Sequence, residues 1–185
     1  PGFAGGERGL APLLSGKEEW QSAGSWNTKM LEGRAASLQN YLQEAGHFRV
    51  LHFSTHAFAD AAPRIELYDQ SMLLPDIYAT PLHADLVVLS ACNTGRGASQ
   101  SGQAVAGMRS AFLFAGASTI VGSLYEVPNA ETRQLMKPFY EGVAAGRGKL
   151  ASLNAAKRRF LADRRRMRGA AHPFYWASFV LVGQP

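Results

Sequence analysis

The sequence has one cysteine in 185 residues, and that scarcity excludes two architectures at once. A lone thiol cannot close an intramolecular disulfide or build a thiolate-rich zinc site. It is either a buried small hydrophobe or a reactive group. No uninterrupted apolar run approaches the roughly 20 residues that span a bilayer, and the first residues lack a basic segment followed by a hydrophobic one. These absences favour a soluble, cytoplasmic protein with no membrane partner. No internal repeat is visible. Acidic residues are outnumbered, and the formal net charge of +5 raises the question of an anionic partner. With 46% hydrophobic residues, the chain can bury one sizeable core, as a single domain of this length does.

Residues 1–26 are rich in Gly, Ser and Ala without periodicity and read as a loose leader; the domain proper is expected over 27–185. Leu31, Ala35, Leu38 and Leu42 recur at helical spacing, which predicts an amphipathic helix over 27–45 with Gly46 as its terminator. The run 49–55 (RVLHFST) reads as a buried strand. The run 85–91 (DLVVLSA) is a near-continuous apolar strand of the kind covered on both faces in a parallel sheet. A helix follows over 102–116 with Val105, Met108, Phe112 and Ala115 on one face, then a strand over 118–124, completing a βαβ unit. Asn129 is expected to cap a helix bearing Leu135, Met136, Phe139 and Tyr140, bent at Pro138. A last helix over 150–168 should turn Leu150, Leu153, Phe160 and Leu161 inward, and 176–182 forms a closing strand. Alternating strands and helices imply an α/β layered sandwich with a mostly parallel sheet.

Two of these strands end in the residue types a thiol hydrolase needs, His56 after the first and Cys92 after the second. Strands that run parallel deliver both to one carboxyl edge, where open α/β sheets place their sites. A free thiol titrates near 8.5, so Cys92 needs a cationic neighbour to ionise at neutral pH. His56 can supply it and can protonate a leaving amine. Taken singly, each residue is more ordinary: a cysteine ending an apolar strand is commonly inert core, and a lone strand histidine is commonly structural. The pairing favours chemistry, and the turn sequence 93–97 (NTGRG) leaves main-chain N–H groups free for an oxyanion.

The segments 54–58 (STHAF), 87–95 (VVLSACNTG), 106–117 (AGMRSAFLFAGA), 123–127 (SLYEV) and 172–183 (HPFYWASFVLVG) resemble the successive motifs of CHAT domains. These are relatives of caspases and separases, commonly attached to tetratricopeptide repeats. The resemblance covers roughly Phe48 to the C-terminus. It implies a three-layer caspase-hemoglobinase-like sandwich and cysteine-type endopeptidase activity by a Cys92/His56 dyad, with an upstream repeat or sensor module as partner. It also implies protein substrates inside a bacterial cell. The oxyanion would be held by the N–H groups of Ala57 and Cys92. Family members usually carry Gly after the histidine, and Ala57 restricts φ there. The span between His56 and Cys92 is also short, which leaves a second reading open: a catalytically silent interaction or signalling module.

Tyr125, Glu126 and Ser90 are expected to line the substrate pocket. The 123–127 segment looks like the one in which separases carry an acidic residue that receives a substrate arginine, so Glu126 implies cleavage after Arg or Lys. His52, His83 and His172 read as structural. The five histidines show no metal-ligand spacing, and neither metal nor cofactor is expected. Arg158, Arg159, Arg165 and Arg166 should form a solvated face. Docking of an acidic partner or an upstream domain is the next reading of them, and nucleic acid the last, because no aromatic interleaving accompanies the charges.

Overall fold

The computed structural model describes Trp26, residues 28–58, Asp60, and residues 62–90, 101–125, 127–169 and 171–185; for 101–105, 129 and 168 it describes the backbone alone. The elements run α1 (Leu38–Glu44), β1 (Val50–Phe53), β2 (Ala57–Phe58), β3 (Arg64–Glu66), β4 (Ser71–Leu73) and α2 (Leu74–Tyr78). They continue with β5 (Leu86–Leu89), α3 (Ser101–Phe114), β6 (Thr119–Ser123), α4 (Asn129–Ala144), α5 (Lys149–Arg168) and β7 (Phe179–Gly183). Four strands make the main sheet in the order β1-β5-β6-β7. The first three are parallel, with Phe53 opposite Leu89 and Leu89 opposite Gly122, and β7 closes the sheet antiparallel to β6.

The β5 strand is buried along its whole length because its alternate side chains enter two cores. Val87 and Leu89 pack with Ile120 beneath Met108 and Phe112 of α3 and Leu38 and Tyr41 of α1. Leu86 and Val88 pack with Val121 against Leu135, Met136, Phe139 and Tyr140 of α4 and Leu153 of α5. Helices thus cover both faces, the three-layer sandwich expected of a caspase-like chain. Each fully buried Phe or Leu contributes about 1.5–3 kcal/mol. Pro138 does not end α4, whose buried residues on both sides of it hold the helix in register.

Several expected details differ. The helix expected over 27–45 begins only at Leu38, capped by Ser37, whose Oγ accepts from the Asn40 amide at 3.2 Å. Leu38 is buried as expected, but Ala35 and Leu42 face solvent, while Tyr41 and Ala45 enter the core. Asn129 is the first residue of α4 and Pro128 its N-cap; Leu150 is exposed where an inward position was expected.

Between His56 and the run at 85–91 the sequence shows no long apolar stretch, yet β2, β3 and β4 form a second, antiparallel sheet in that order. Ala57, Ile65 and Met72 turn one face of it into the α3-side core. Its β3-β4 turn is fastened to the start of α1, with the Leu38 amide donating to Asp69 Oδ1 at 3.0 Å. At the end of α3, Gly116 makes the turn into β6 with φ of 114°, and a Cβ there would lie 2.1 Å from the Leu82 carbonyl oxygen. Among the described residues no helix is long and apolar enough to cross a membrane.

Candidate functional site at the carboxyl edge of the sheet

Parallel alignment of β1, β5 and β6 sends their carboxyl ends to one edge. The β1–β5 ladder extends one step past the strands, the Ser90 amide donating to the Phe53 carbonyl at 3.0 Å. Beyond that point β1 leads to Thr55 and His56. The residue expected to be the nucleophile, Cys92, and the pocket residue Glu126 lie outside the described residues.

His56 is half-buried and its backbone is fixed from the second sheet: its carbonyl accepts from the Glu66 amide at 2.8 Å. Thr55 Oγ1, buried, donates to the Glu66 carbonyl at 2.5 Å. The register of β2 and β3 pairs Ala57 with Ile65 and Phe58 with Arg64. Antiparallel ladders alternate hydrogen-bonded and non-bonded pairs, so the Ala57/Ile65 pair is the non-bonded one and the Ala57 N–H points away from β3. A main-chain donor aimed off the ladder is what an oxyanion contact requires.

Beside His56 stands a charged cluster that sequence reasoning missed. Glu66 has 5% of its side chain exposed, and its carboxylate accepts from Arg64 Nε at 3.0 Å and from Ser71 Oγ at 2.9 Å. Arg64 Nη1 also bridges to both oxygens of Asp60, and its guanidinium lies 4.4 Å from the Phe58 ring centroid. That hydrogen bond from Arg64, with one from the Ala62 amide, holds the Asp60 carboxyl below the usual carboxylate range. The alternation Arg64-Ile65-Glu66-Leu67 is the only sequence signal of this strand, and it says nothing of a buried carboxylate.

The CHAT domain family model matches residues 10–184. This chain belongs to the CHAT domain family. Tetratricopeptide repeat protein 28 of Mus musculus is 31% identical to this CHAT domain over 127 residues, which is 69% of this chain and 5% of that protein. The Homo sapiens protein of the same name is 26% identical over 170 residues, 89% of this chain and 6% of that protein. The CHAT chain therefore spans about a twentieth of the length of the curated relatives it matches.

Elsewhere along the edge of this CHAT domain, Ser90 is half-buried, and Tyr125 stacks on Phe174 with ring centroids 5.4 Å apart and planes 17° apart. Its hydroxyl donates to the Pro173 carbonyl at 3.4 Å. The loop after β6 is thereby held by the C-terminal segment. Arg109 reaches from α3 to the same edge, Nη2 donating to the Ser123 carbonyl at 3.4 Å, a cation that sequence reasoning also passed over.

Two other histidines of the CHAT domain have structural surroundings. His52 turns away from this edge into the α4-side core, Nδ1 lying 2.6 Å from the Tyr140 hydroxyl. His172 caps the short turn before β7 by accepting from the Phe174 amide at 3.2 Å, and His83 is exposed. Arg158, Arg159, Arg165 and Arg166 face solvent as expected. Arg164 instead is buried, paired with Glu131 and packed between the Phe160 and Tyr175 rings.

Proposed function

We propose that this CHAT domain is a cysteine endopeptidase working through Cys92 and His56. The observation that supports it most is register. Phe53 and Leu89 are partners on adjacent parallel strands. His56 and Cys92 follow them at the same offset in the sequence, after strands about 4.8 Å apart. Gly122 is the next partner along, and Tyr125 follows it at that offset too.

In this reading the thiol proton passes to His56, and Cys92 Sγ attacks the scissile carbonyl carbon. The oxyanion is held by the N–H groups of Ala57 and Cys92. Collapse breaks the C–N bond as His56 gives its proton to the amine. Water, deprotonated by His56, then cleaves the thioester and regenerates the thiol. Ser90, Tyr125 and Glu126 line the pocket for the residue before the scissile bond, and a carboxylate at Glu126 selects Arg or Lys. The setting is intracellular, consistent with a single unpaired thiol, and the upstream partner is a repeat module of the kind named in the mammalian relatives.

The test is covalent labelling of Cys92 by peptidyl electrophiles, paired with fluorogenic peptides that differ only before the scissile bond. Labelling that vanishes in Cys92→Ala and His56→Ala, with cleavage after Arg in preference to Leu or Asp, is expected. Preference for Arg that survives Glu126→Gln would remove the pocket assignment alone. A second reading, a catalytically silent interaction module, is favoured by Ala57 in place of the family's glycine. Full inertness toward such probes in the presence of natural partners would establish it.

A further inference from the structure

We propose that Glu66 is the positioning residue of His56, an anionic partner across the β2-β3 ladder that holds the imidazole in place. This rests on the reading of His56 as the base of the site. The register that pairs Ala57 with Ile65 makes His56 and Glu66 the next pair along, and the 2.8 Å bond from the Glu66 amide to the His56 carbonyl fixes it. Directly opposed residues of an antiparallel pair project to the same face with Cβ atoms about 4.5–5.5 Å apart. That face is distinct from the one carrying Ala57, Ile65 and Met72 into the core.

The carboxylate itself is built in. It is 5% exposed and is steadied by Arg64 on its own strand and by Ser71 on the next. Burying a carboxylate costs several kcal/mol unless it is paired, and Arg64 supplies the pair. Arg64 is shared with Asp60, however, so one guanidinium serves two carboxylates. The Asp60 side chain is about half exposed and screened by water, whereas Glu66 sits in low dielectric, where its field is stronger. Directly opposite the base, the carboxylate is placed to orient the imidazole for taking the thiol proton and passing it to a leaving amine.

Iodoacetamide alkylation of Cys92 in the full chain at pH 7 reads the thiolate without requiring any peptidase turnover, and the protein has no second cysteine to confuse it. Glu66→Gln is expected to slow alkylation about tenfold and Glu66→Asp to recover most of the rate. Arg64→Gln, which breaks the same ion pair but leaves the carboxylate, is expected to keep the rate or raise it. A purely structural ion pair gives the two glutamine variants the same sign, so equal slowing in both would overturn the proposal, as would a wild-type rate in a folded Glu66→Gln. Should Glu66→Gln fail to fold, a slower Arg64→Gln would overturn it alone. His56→Ala serves as the reference. If it does not slow alkylation the dyad itself falls, whereas slowing in His56→Ala without slowing in Glu66→Gln removes only the role of Glu66.

Discussion

The imidazole of His52 and the hydroxyl of Tyr140 meet inside the core, Nδ1 to Oη at 2.6 Å, and so fasten the edge strand β1 to helix α4. Their rings lie 5.8 Å apart, and Trp26 meets Tyr140 edge-on at 6.0 Å. Because β1 carries His56 at its end, this contact sets the position of the candidate base from a distance. Tyr140→Phe keeps the ring packing and removes the hydrogen bond, and should cost about 1–2 kcal/mol. Urea unfolding measures the loss; an unchanged midpoint would show that the bond contributes nothing net.

Arg164 and Glu131 pair where α5 crosses α4, with the guanidinium between the Phe160 and Tyr175 rings at 5.2 Å from each centroid. Arg164→Ala leaves a largely buried carboxylate alone and should destabilise by about 3–5 kcal/mol. The double replacement Arg164→Met with Glu131→Leu should cost distinctly less than that single change. Thermal melts of the three proteins decide it, and a double variant worse than Arg164→Ala would contradict the account.

Gly116 and Gly146 both have positive φ, 114° and 76°, but differ in surroundings. A Cβ at Gly116 meets the Leu82 carbonyl oxygen at 2.1 Å, whereas nothing lies within 4 Å of one at Gly146. Gly146→Ala should cost about 1–2 kcal/mol from backbone strain alone. Gly116→Ala adds a backbone collision and should cost about 3 kcal/mol or more. Equal losses in denaturant titrations would refute the distinction.

Burial pushes the Tyr41 hydroxyl up to about 12, with the charge of Asp76 adding to the effect and Thr80 working against it. In the unfolded chain this group ionises near 10, so above that pH the unfolded state releases a proton that the folded state keeps. Stability is therefore intact below pH 10 and falls as pH rises toward 12, by on the order of 2–3 kcal/mol from this group. Tyr41→Phe should flatten that part of the alkaline decline. Identical pH–stability curves for the two proteins between 10 and 12 would exclude it.

How far the fold was legible follows from what each element depends on. The runs that became β1, β5 and β6 could be read directly, because a strand buried on both faces must be apolar throughout whatever its neighbours are. The helix before β1 was misplaced because Ala35 and Leu42 have helical spacing but no core to face, while Tyr41 reaches one. Leu150 failed in the same way. The second sheet stayed hidden because its strands, Arg64–Glu66 and Ser71–Leu73 among them, are too short for periodicity to register.

Local patterning by itself determined the layered α/β class, the membership signalled by the ordered motifs, and that a histidine and a cysteine each follow an apolar run. Only the tertiary structure decided which strands are neighbours, that His52 serves Tyr140 in the core, and that Glu66 stands opposite His56. A hydrophobic run reports its own burial, since that depends on the residue's own transfer from water. The partner of a buried charge depends on where distant segments meet, and the one-residue alternation around Glu66 is equally compatible with a carboxylate left in solvent.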